Sequence, residues 1–156
     1  MLGRVSAELY VSSSANDTDF VVTLDDVRPS GLLRKQSSFL VRYGAIRMRW
    51  RDSDTHVNEP LVAGDVCKVE IDMGNTAFIF EKGHRIRLSV SSAAAPYYSA
   101  NTNTGQPDLI TKVTPVVAAN SVFFGGSHAS SVTLPVVALS QLPPNEHFAT
   151  VMAEFE

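Results

Sequence analysis

Short runs in which apolar and polar residues alternate, separated by turn-forming residues, recur along the chain and constrain its fold more than any other feature. In residues 5–12, apolar Val5, Ala7, Leu9 and Val11 alternate with Ser, Glu, Tyr and Ser. Because successive side chains of a strand point to opposite faces, this period of two predicts half-buried β-strands. Strands are predicted at 5–12, 19–27, 39–50, 66–73, 85–90, 121–124, 131–138 and 149–155.

The residue types also favour an all-β chain. Val, Ile and Thr make up 34 of the 156 residues and aromatic side chains another 13, and both groups suit the pleated surface of a sheet. The only helix predicted is a short turn around residues 109–112. Many short strands joined by turns indicate an antiparallel two-sheet β-sandwich, of jelly-roll or Greek-key type, formed by residues 1–156 as a single domain.

Charge and hydropathy exclude several classes of partner. The net charge is −3, so the chain lacks the concentrated positive field of a nucleic-acid binder. Its apolar runs stay well below the roughly 20 residues that span a bilayer. Residues 1–8 lack the layout of a signal peptide, and Cys67 is the only cysteine, which excludes an internal disulfide and a cysteine metal cluster. We therefore expect a cytoplasmic protein that needs no cofactor.

The segment closest to a catalytic motif is Gly-Gly-Ser-His-Ala at 125–129, which nearly matches the Gly-x-Ser-x-Gly nucleophile elbow. That elbow needs a helix after the serine, so that the hydroxyl stands exposed on a strained turn. Here the predicted strand 131–138 follows. A hairpin turn is therefore predicted, and a hydrolase that uses Ser127 and His128 is the least favoured of three functional hypotheses.

Metal sites find little support. The histidines at 56, 84, 128 and 147 lie 28, 44 and 19 positions apart, and none of these spacings is that of a local zinc motif. We expect structural or surface roles for them. Asp17 and Asp19 could ligate calcium through their carboxylates, but this is the less favoured use of these residues.

A row of arginines is predicted at the end of strand 39–50. The two faces there would carry Arg47, Arg49 and Arg51 on one side and Ile46, Met48 and Trp50 on the other. The arginines could bind an anion, but nearby acidic residues favour internal ion pairs. A partly buried pair between Asp19 and this row is expected at one end of the sandwich, and Trp50 is expected in the core.

Residues 93–114 form a segment too long for a plain connection in a compact domain, which indicates a function. Pro96, Tyr97 and Tyr98 on this loop are rigid apolar groups of the kind that anchor protein interfaces. Trp50, Tyr43, Tyr97 and Tyr98 could instead form a flat platform on which a sugar ring stacks, and Tyr97 and Tyr98 are its better surface candidates. A docking surface is the first hypothesis, and a stand-alone carbohydrate-binding module is the second.

Several segments, taken in order, are similar to one known family. They are residues 17–20, 26–31, 44–51, 76–88, 91–92 with Pro96, 101–105, 127–131 and 134–136. Gly-His-Arg at 83–85 and Asn-x-Asn-Thr-Gly at 101–105 are the most specific. Together they resemble the C-terminal domain of X-prolyl dipeptidyl-peptidases and of cocaine-esterase-like acyl hydrolases, including α-amino-acid ester hydrolases and glutaryl acylases. The resemblance runs from about residue 3 to residue 137.

The resemblance implies a jelly-roll β-sandwich shaped like a galactose-binding domain. In the full enzymes this domain follows an α/β-hydrolase domain that carries the Ser, Asp and His triad. It packs against that domain, helps to wall the acyl-binding cleft and often contributes to dimer contacts. No triad residue of the family maps onto this sequence, so no catalytic residue is expected here.

The matched motifs are expected to hold the domain together. The residues concerned are Asp19, Arg47, Arg49, Gly83, His84, Arg85, Asn101, Asn103 and Gly105. Gly83 would permit a turn with positive φ, and Asn101, Asn103 and Thr104 can cap backbone groups of the long loop.

One departure from the family lies near the start of the chain. Arg4 stands where the family's Gly-Pro-Val segment has its Pro, and an earlier strand is expected to be missing. Such a gap would leave an open sheet edge, which invites pairing with another copy. The first hypothesis is therefore a non-catalytic accessory domain that docks on an α/β-hydrolase domain, shapes its substrate cleft and supports homo-oligomerisation.

Overall fold

The computed structural model describes residues 1–32, 35–53, 55–106 and 113–142, and these residues form eight strands in two antiparallel sheets. The strands are β1 (Leu2–Ser13), β2 (Asp19–Arg28), β3 (Ser37–Arg47), β4 (Cys67–Ala77), β5 (Arg85–Ser91), β6 (Asn120–Gly125), β7 (His128–Ala129) and β8 (Ser131–Thr133). Short 3-10 helices span Met48–Trp50 and Leu139–Gln141. The predicted antiparallel two-sheet sandwich is confirmed, whereas its likeness to a galactose-binding domain stays a prediction.

Each sheet is built around one long central strand. In the first sheet, β1 pairs with β4 along one edge and with β6 and β8 along the other. In the second sheet, β2 lies between β3 and β5. The core lies between the facing sides of β1 and β2, where the predicted rows Val5, Ala7, Leu9, Val11 and Phe20, Val22, Leu24 are all buried.

Strands β6 and β8 run one after the other along the same edge of β1. Phe123 of β6 pairs with Tyr10, and Ser131 of β8 pairs with Glu8. Between them β7 pairs with β6 in the same sheet to form a hairpin, with Gly126 and Ser127 at its turn. The Tyr10 N–H donates to Ser130 Oγ across 2.9 Å at its base. The hairpin turn predicted at 125–129 is therefore present.

The two sheets approach each other closely along the side formed by β3 and β4. A Cβ at Gly44 of β3 would fall within 3.0 Å of the Asp72 carbonyl oxygen and of the Ile71 side chain in β4. Only glycine allows this approach without a shift of backbone. The Arg42 guanidinium also donates to the Asn75 carbonyl, so the edges of the two sheets are joined here.

On the opposite side the sheets stay apart. An apolar groove of about 640 Å³ lies between β5 and the strands β6 and β8. Its lining includes Leu88, Val90, Val122, Phe124, Val132 and Leu134. We call it the open groove.

Two strand predictions were wrong at their ends. The strand predicted at 39–50 ends at Arg47, because the Met48 N–H donates to the Thr18 carbonyl and the Arg49 N–H donates to Asp17. The chain turns there into the 3-10 helix, so Arg47, Arg49 and Arg51 do not form a row on one strand face. Trp50 is 39% exposed and is not a core residue. The strand predicted at 131–138 ends at Thr133.

The turn predicted at 109–112 and the strand predicted at 149–155 lie outside the described residues. No helix in the described part of the chain is both long and apolar enough to cross a membrane.

Candidate docking site

Two aspartates at the start of β2 meet two arginines at the end of β3. Arg47 donates from Nε and Nη2 to the two carboxylate oxygens of Asp19, each across 2.9 Å. Arg49 donates from Nε to Asp17 Oδ2 across 2.7 Å and from its backbone N–H to Oδ1 across 2.9 Å. The ion pair predicted for Asp19 is present, and such two-pronged charged bonds are short and directional. The carboxylates considered as calcium ligands accept from these cations instead.

Asn101 joins the long loop to both aspartates. Its Nδ2 donates to Asp19 Oδ1 across 2.7 Å and to Asp17 Oδ2 across 3.0 Å. The Asp17 side chain is only 1% exposed. A buried carboxylate is tolerated because it is fully paired, and removing one partner would leave an uncompensated charge. The arrangement therefore holds the loop firmly against the sandwich.

The arginines also bind the backbone of the loop. Arg47 Nη2 donates to the Ser99 carbonyl across 3.0 Å, and Arg49 Nη1 donates to the Gln106 carbonyl across 2.9 Å. Asp17, Asp19, Arg47, Arg49 and Asn101 thus form one unit, which we call the anchor cluster. It fixes the loop at three points, residues 99, 101 and 106.

Loop residues 101–105 are ordered by their own side chains. The Asn103 N–H donates to Asn101 Oδ1 across 2.9 Å, and Asn103 Nδ2 donates to the Val116 carbonyl across 2.8 Å. Asn103 has a φ of 61° and Gly105 a φ of 79°, in the left-handed region that Asn and Gly tolerate best. The Asn-x-Asn-Thr-Gly pattern is explained by this backbone.

Aromatic side chains lie beside the anchored loop. Tyr97 is 69% exposed, and its ring centre lies 5.7 Å from that of Tyr43 on β3. Tyr98 packs edge-on against Tyr43 at 6.1 Å. Burial raises the pKa of Tyr98, with a smaller contribution from Tyr43. We call Tyr43, Tyr97 and Tyr98 the tyrosine patch.

A cavity of about 360 Å³ opens between this loop and the end of β3. Its walls include Asp19, Arg47, Trp50, Tyr98 and the small side chains of Ala93, Ala94, Ala95 and Ala100. Pro96, whose peptide bond to Ala95 is cis, lies between these alanines and the tyrosines. The cavity combines an apolar wall with one ion pair, so it suits an apolar group that carries a polar end.

The four aromatic residues considered as a sugar-stacking platform meet at this site. Tyr43 contacts both loop tyrosines, and Trp50 lines the cavity together with Tyr98. The favoured expectation that Trp50 lies in the core was wrong, because the strand ends at Arg47. The available signal was Asp17, just before β2, since its carboxylate can accept from the N–H of Arg49 and end the strand.

The Gly-His-Arg segment lies away from this site, at the other end of the sandwich. The His84 N–H donates to the Glu81 carbonyl across 3.0 Å, and Gly83 has a φ of 88°, as the predicted turn requires. His84 Nδ1 lies 2.8 Å from Asp26 Oδ2, which joins the start of β5 to the end of β2. Arg85 is exposed and pairs in register with Val27.

Ser127 and His128 do not form a nucleophile elbow. The serine Oγ lies 3.3 Å from His128 Nδ1 on the exposed turn, and strand β7 follows instead of a helix. The His128 ring packs edge-on against Tyr10 at 5.4 Å. Among the described residues, no group of three or more His, Cys, Asp or Glu side chains is placed to hold a metal ion.

Comparison with known proteins gives a consistent result. A family described as the X-Pro dipeptidyl-peptidase C-terminal non-catalytic domain matches residues 1–133. The chain is similar to the cocaine esterase of a Rhodococcus species, with 41% identity over 137 residues, which are 86% of this chain and 23% of the esterase.

Two solved structures are similar in both sequence and shape. An α-amino acid ester hydrolase matches with a TM-score of 0.79 and 26% identity, over 87% of this chain and 24% of its own. An aminopeptidase from a marine sediment Thaumarchaeota archaeon matches with a TM-score of 0.77 and 25% identity, over 88% of this chain and 23% of its own. The chain therefore spans about a quarter of the length of these relatives.

Proposed function

We propose that this chain, which belongs to the family of X-Pro dipeptidyl-peptidase C-terminal non-catalytic domains, is an accessory domain that docks on the α/β-hydrolase domain of a serine acyl hydrolase or peptidase. Its relatives are hydrolases of which it covers about a quarter, so a catalytic partner domain is plausible. The partner can lie in the same chain or in a separate one.

The observation that carries this proposal is the tyrosine patch held in place by the anchor cluster. Interfaces gain affinity from aromatic anchors and from surfaces that are ordered before binding. Here Arg47, Arg49 and Asn101 fix the loop backbone, so Tyr97 is presented without further ordering of the chain. An apolar side chain of the catalytic domain would enter the cavity beside Trp50 and Tyr98.

Cleft shaping follows from the same contact. A loop fixed at three points is stiff enough to serve as one wall of a neighbouring cleft, and it would orient the acyl group through contacts made outside this chain. Support for homo-oligomerisation is a separate part of the proposal and rests on the family resemblance. Light scattering of the purified protein measures it directly.

The docking proposal is tested with a chimera. This chain replaces the matching segment of the Rhodococcus cocaine esterase, and ester hydrolysis and melting temperature are measured. Tyr97→Ala with Tyr98→Ala should abolish most of the activity of the chimera. Ile79→Ala with Phe124→Ala removes two exposed apolar side chains that belong neither to the cavity nor to the tyrosine patch, and it should leave the activity intact. Full activity of the double tyrosine variant would refute the assignment of the docking surface.

A carbohydrate-binding module is the second candidate, and the mixed lining of the cavity favours it. Trp50 and Tyr98 provide rings on which a sugar can stack, and Asp19 and Arg47 provide polar groups for its hydroxyls. A glycan array followed by calorimetry with the best glycan tests this function. Saturable binding that disappears on Tyr97→Ala with Tyr98→Ala would support it over docking.

The native context of the chain is testable as well. We propose a cytoplasmic location from the composition, with cell fractionation as the measurement. An antibody raised against this chain should detect a band well above 16.9 kDa in source-cell lysate if the catalytic domain lies in the same polypeptide. A band at 16.9 kDa would direct the search to a separate catalytic subunit.

A further inference from the structure

The anchor cluster holds the tyrosine patch through residues that follow it along the chain. Arg47 and Asn101 fix the loop at residues 99 and 101, beyond Tyr97 and Tyr98. The place of these tyrosines also depends on where the loop begins, just after the end of β5 at Ser91. A side chain of the other sheet fixes this beginning.

The side chain concerned is Asn120, the first residue of β6. Its Nδ2 donates to Ser92 Oγ across 2.7 Å and to Thr18 Oγ1 across 2.8 Å. Ser92 is the first residue after β5, whereas Thr18 is 1% exposed and lies between Asp17 and Asp19 of the anchor cluster. One amide therefore joins the start of the loop to the segment that carries the carboxylates of the cluster.

The contact between Ser92 and Asn120 lies at the end of the open groove. Val90 lines the groove from β5, and Val122 lines it from β6. Because side chains two positions apart in a strand share a face, Ser92 and Asn120 continue these two rows by one step. The apolar rows thus end in a polar contact that joins the two sheets where the loop begins.

The surroundings of Asn120 indicate a role beyond stability. The preceding residue is held to β1, since the Ala119 N–H donates to Ser14 Oγ across 2.9 Å and the Ser14 N–H donates to the Ala119 carbonyl across 3.0 Å. Asn120 Oδ1 is buried and has no hydrogen-bond partner among the described residues. A buried polar atom without a partner costs free energy, so the amide is poorly explained by stability alone.

We propose that Asn120 is a positioning residue of the docking surface, which sets the place of the tyrosine patch by holding Ser92. This inference rests on the proposed docking function. With residues 92–99 fixed at both ends, the turn in which the Tyr98 N–H donates to the Ala94 carbonyl across 3.1 Å stays closed. A surface that is ordered before binding loses less conformational entropy on docking. Asn120 acts through Ser92 and needs no contact with the partner.

Hydrogen exchange of the Tyr98 N–H in the full chain, measured by NMR, tests the contact. Asn120→Ala should speed this exchange about fivefold, which corresponds to one net hydrogen bond. Ser92→Ala should have a similar effect, and the double variant should exchange no faster than Asn120→Ala, because both changes remove the same bond. Ser14→Ala is the matched control. It removes the neighbouring bond from the Ala119 N–H and should leave the exchange at the wild-type rate.

The chimera with the Rhodococcus cocaine esterase provides the functional measurement. Asn120→Ala should lower its ester hydrolysis, whereas Ser14→Ala, at a comparable melting temperature, should leave hydrolysis unchanged. A purely structural role of Asn120 would instead lower the melting temperature and leave the activity of the folded chimera at the level of the control.

Three outcomes would overturn the inference. The first is exchange of the Tyr98 N–H at the control rate in Asn120→Ala. The second is a double variant that exchanges faster than Asn120→Ala, since Asn120 would then not act through Ser92. The third is full activity of the Asn120→Ala chimera although Tyr97→Ala with Tyr98→Ala abolishes activity. Full activity of the double tyrosine variant would refute the docking proposal itself, and the exchange rates would still decide whether Asn120 holds the loop.

Discussion

The two sheets of the sandwich approach each other closely along one long side and stay apart along the other. Along one side, Gly44 of β3 brings its backbone against Asp72 of β4, and Val41 and Met73 are buried between the sheets. Along the other, β5 stands apart from β6 and β8 across a groove of about 640 Å³. We call these the closed side and the open side.

The difference shows that alternation alone does not make a buried face. Ile86, Leu88 and Val90 alternate as regularly as Phe20, Val22 and Leu24, yet only the second row is buried. An apolar residue is buried only where a second sheet lies opposite, and on the open side that cover is incomplete. The row on β2 is therefore buried between the sheets, whereas the row on the open side leaves apolar surface partly exposed.

The largest effect is expected from Asp17→Ala in the anchor cluster. It leaves the Arg49 side chain, which is 10% exposed, without its carboxylate, and such losses cost about 3–5 kcal/mol. Chemical denaturation should show this decrease in the free energy of unfolding. Asp72→Ala removes an exposed carboxylate from its pair with Arg4 and serves as the control. A decrease no larger than that of the control would contradict the role assigned to the cluster.

A direct comparison of the two rows comes from Leu24→Ala and Leu88→Ala, because these residues are register neighbours in one sheet. Leu24 is fully buried, so its truncation should cost about 2–5 kcal/mol. Leu88→Ala should cost about 1 kcal/mol, because much of its side chain already contacts water. Equal losses in urea titrations of the full chain would mean that the open side is covered as completely as the core.

The close approach on the closed side is tested by Gly44→Ala. The new Cβ meets the Asp72 carbonyl oxygen, so we expect a loss of about 1–3 kcal/mol by thermal unfolding. Gly125→Ala on β6 is the matched control, since nothing lies within 4 Å of its added Cβ. That variant should be neutral or slightly stabilising, because alanine loses less backbone entropy than glycine. The opposite order of the two melting temperatures would refute the tight packing of β3 on β4.

The smallest effect concerns pH. The Gly74 N–H, followed by the Arg4 guanidinium, lowers the pKa of Asp72 below its ordinary value. A carboxyl with a lowered folded-state pKa contributes stability above its unfolded pKa and loses that contribution as pH falls through the folded value. The melting temperature of Asp72→Asn should therefore be slightly below that of the wild type at pH 7, and the two should converge at low pH. A constant difference at every pH would show that ionisation of the Asp72 carboxyl does not contribute to the stability of the fold.

Much of the candidate site could be predicted from the sequence, and particular residues show why the rest could not. The pairing of Asp19 with the arginines was predicted from their opposite charges on adjoining strands, and the caps made by Asn101, Asn103 and Thr104 follow from the type of their side chains. Trp50 was predicted in the core because apolar and polar residues continue to alternate in the sequence beyond Arg47, where the strand ends. The turn at Met48 depends on a carbonyl of Thr18 and a carboxylate of Asp17, both distant along the chain.

The sequence by itself determined the all-β class, the approximate positions of seven of the eight described strands, the hairpin at 125–129 and the membership of the family, since period, turn residues and motifs are local properties. The tertiary structure decided which alternating rows are buried, where the strand ends before Trp50, and how Tyr43 joins the loop tyrosines. The physical reason is that a side chain's burial depends on what lies opposite it. For β2 that is β1, and for β5 the described part of the chain covers Leu88 and Val90 only in part.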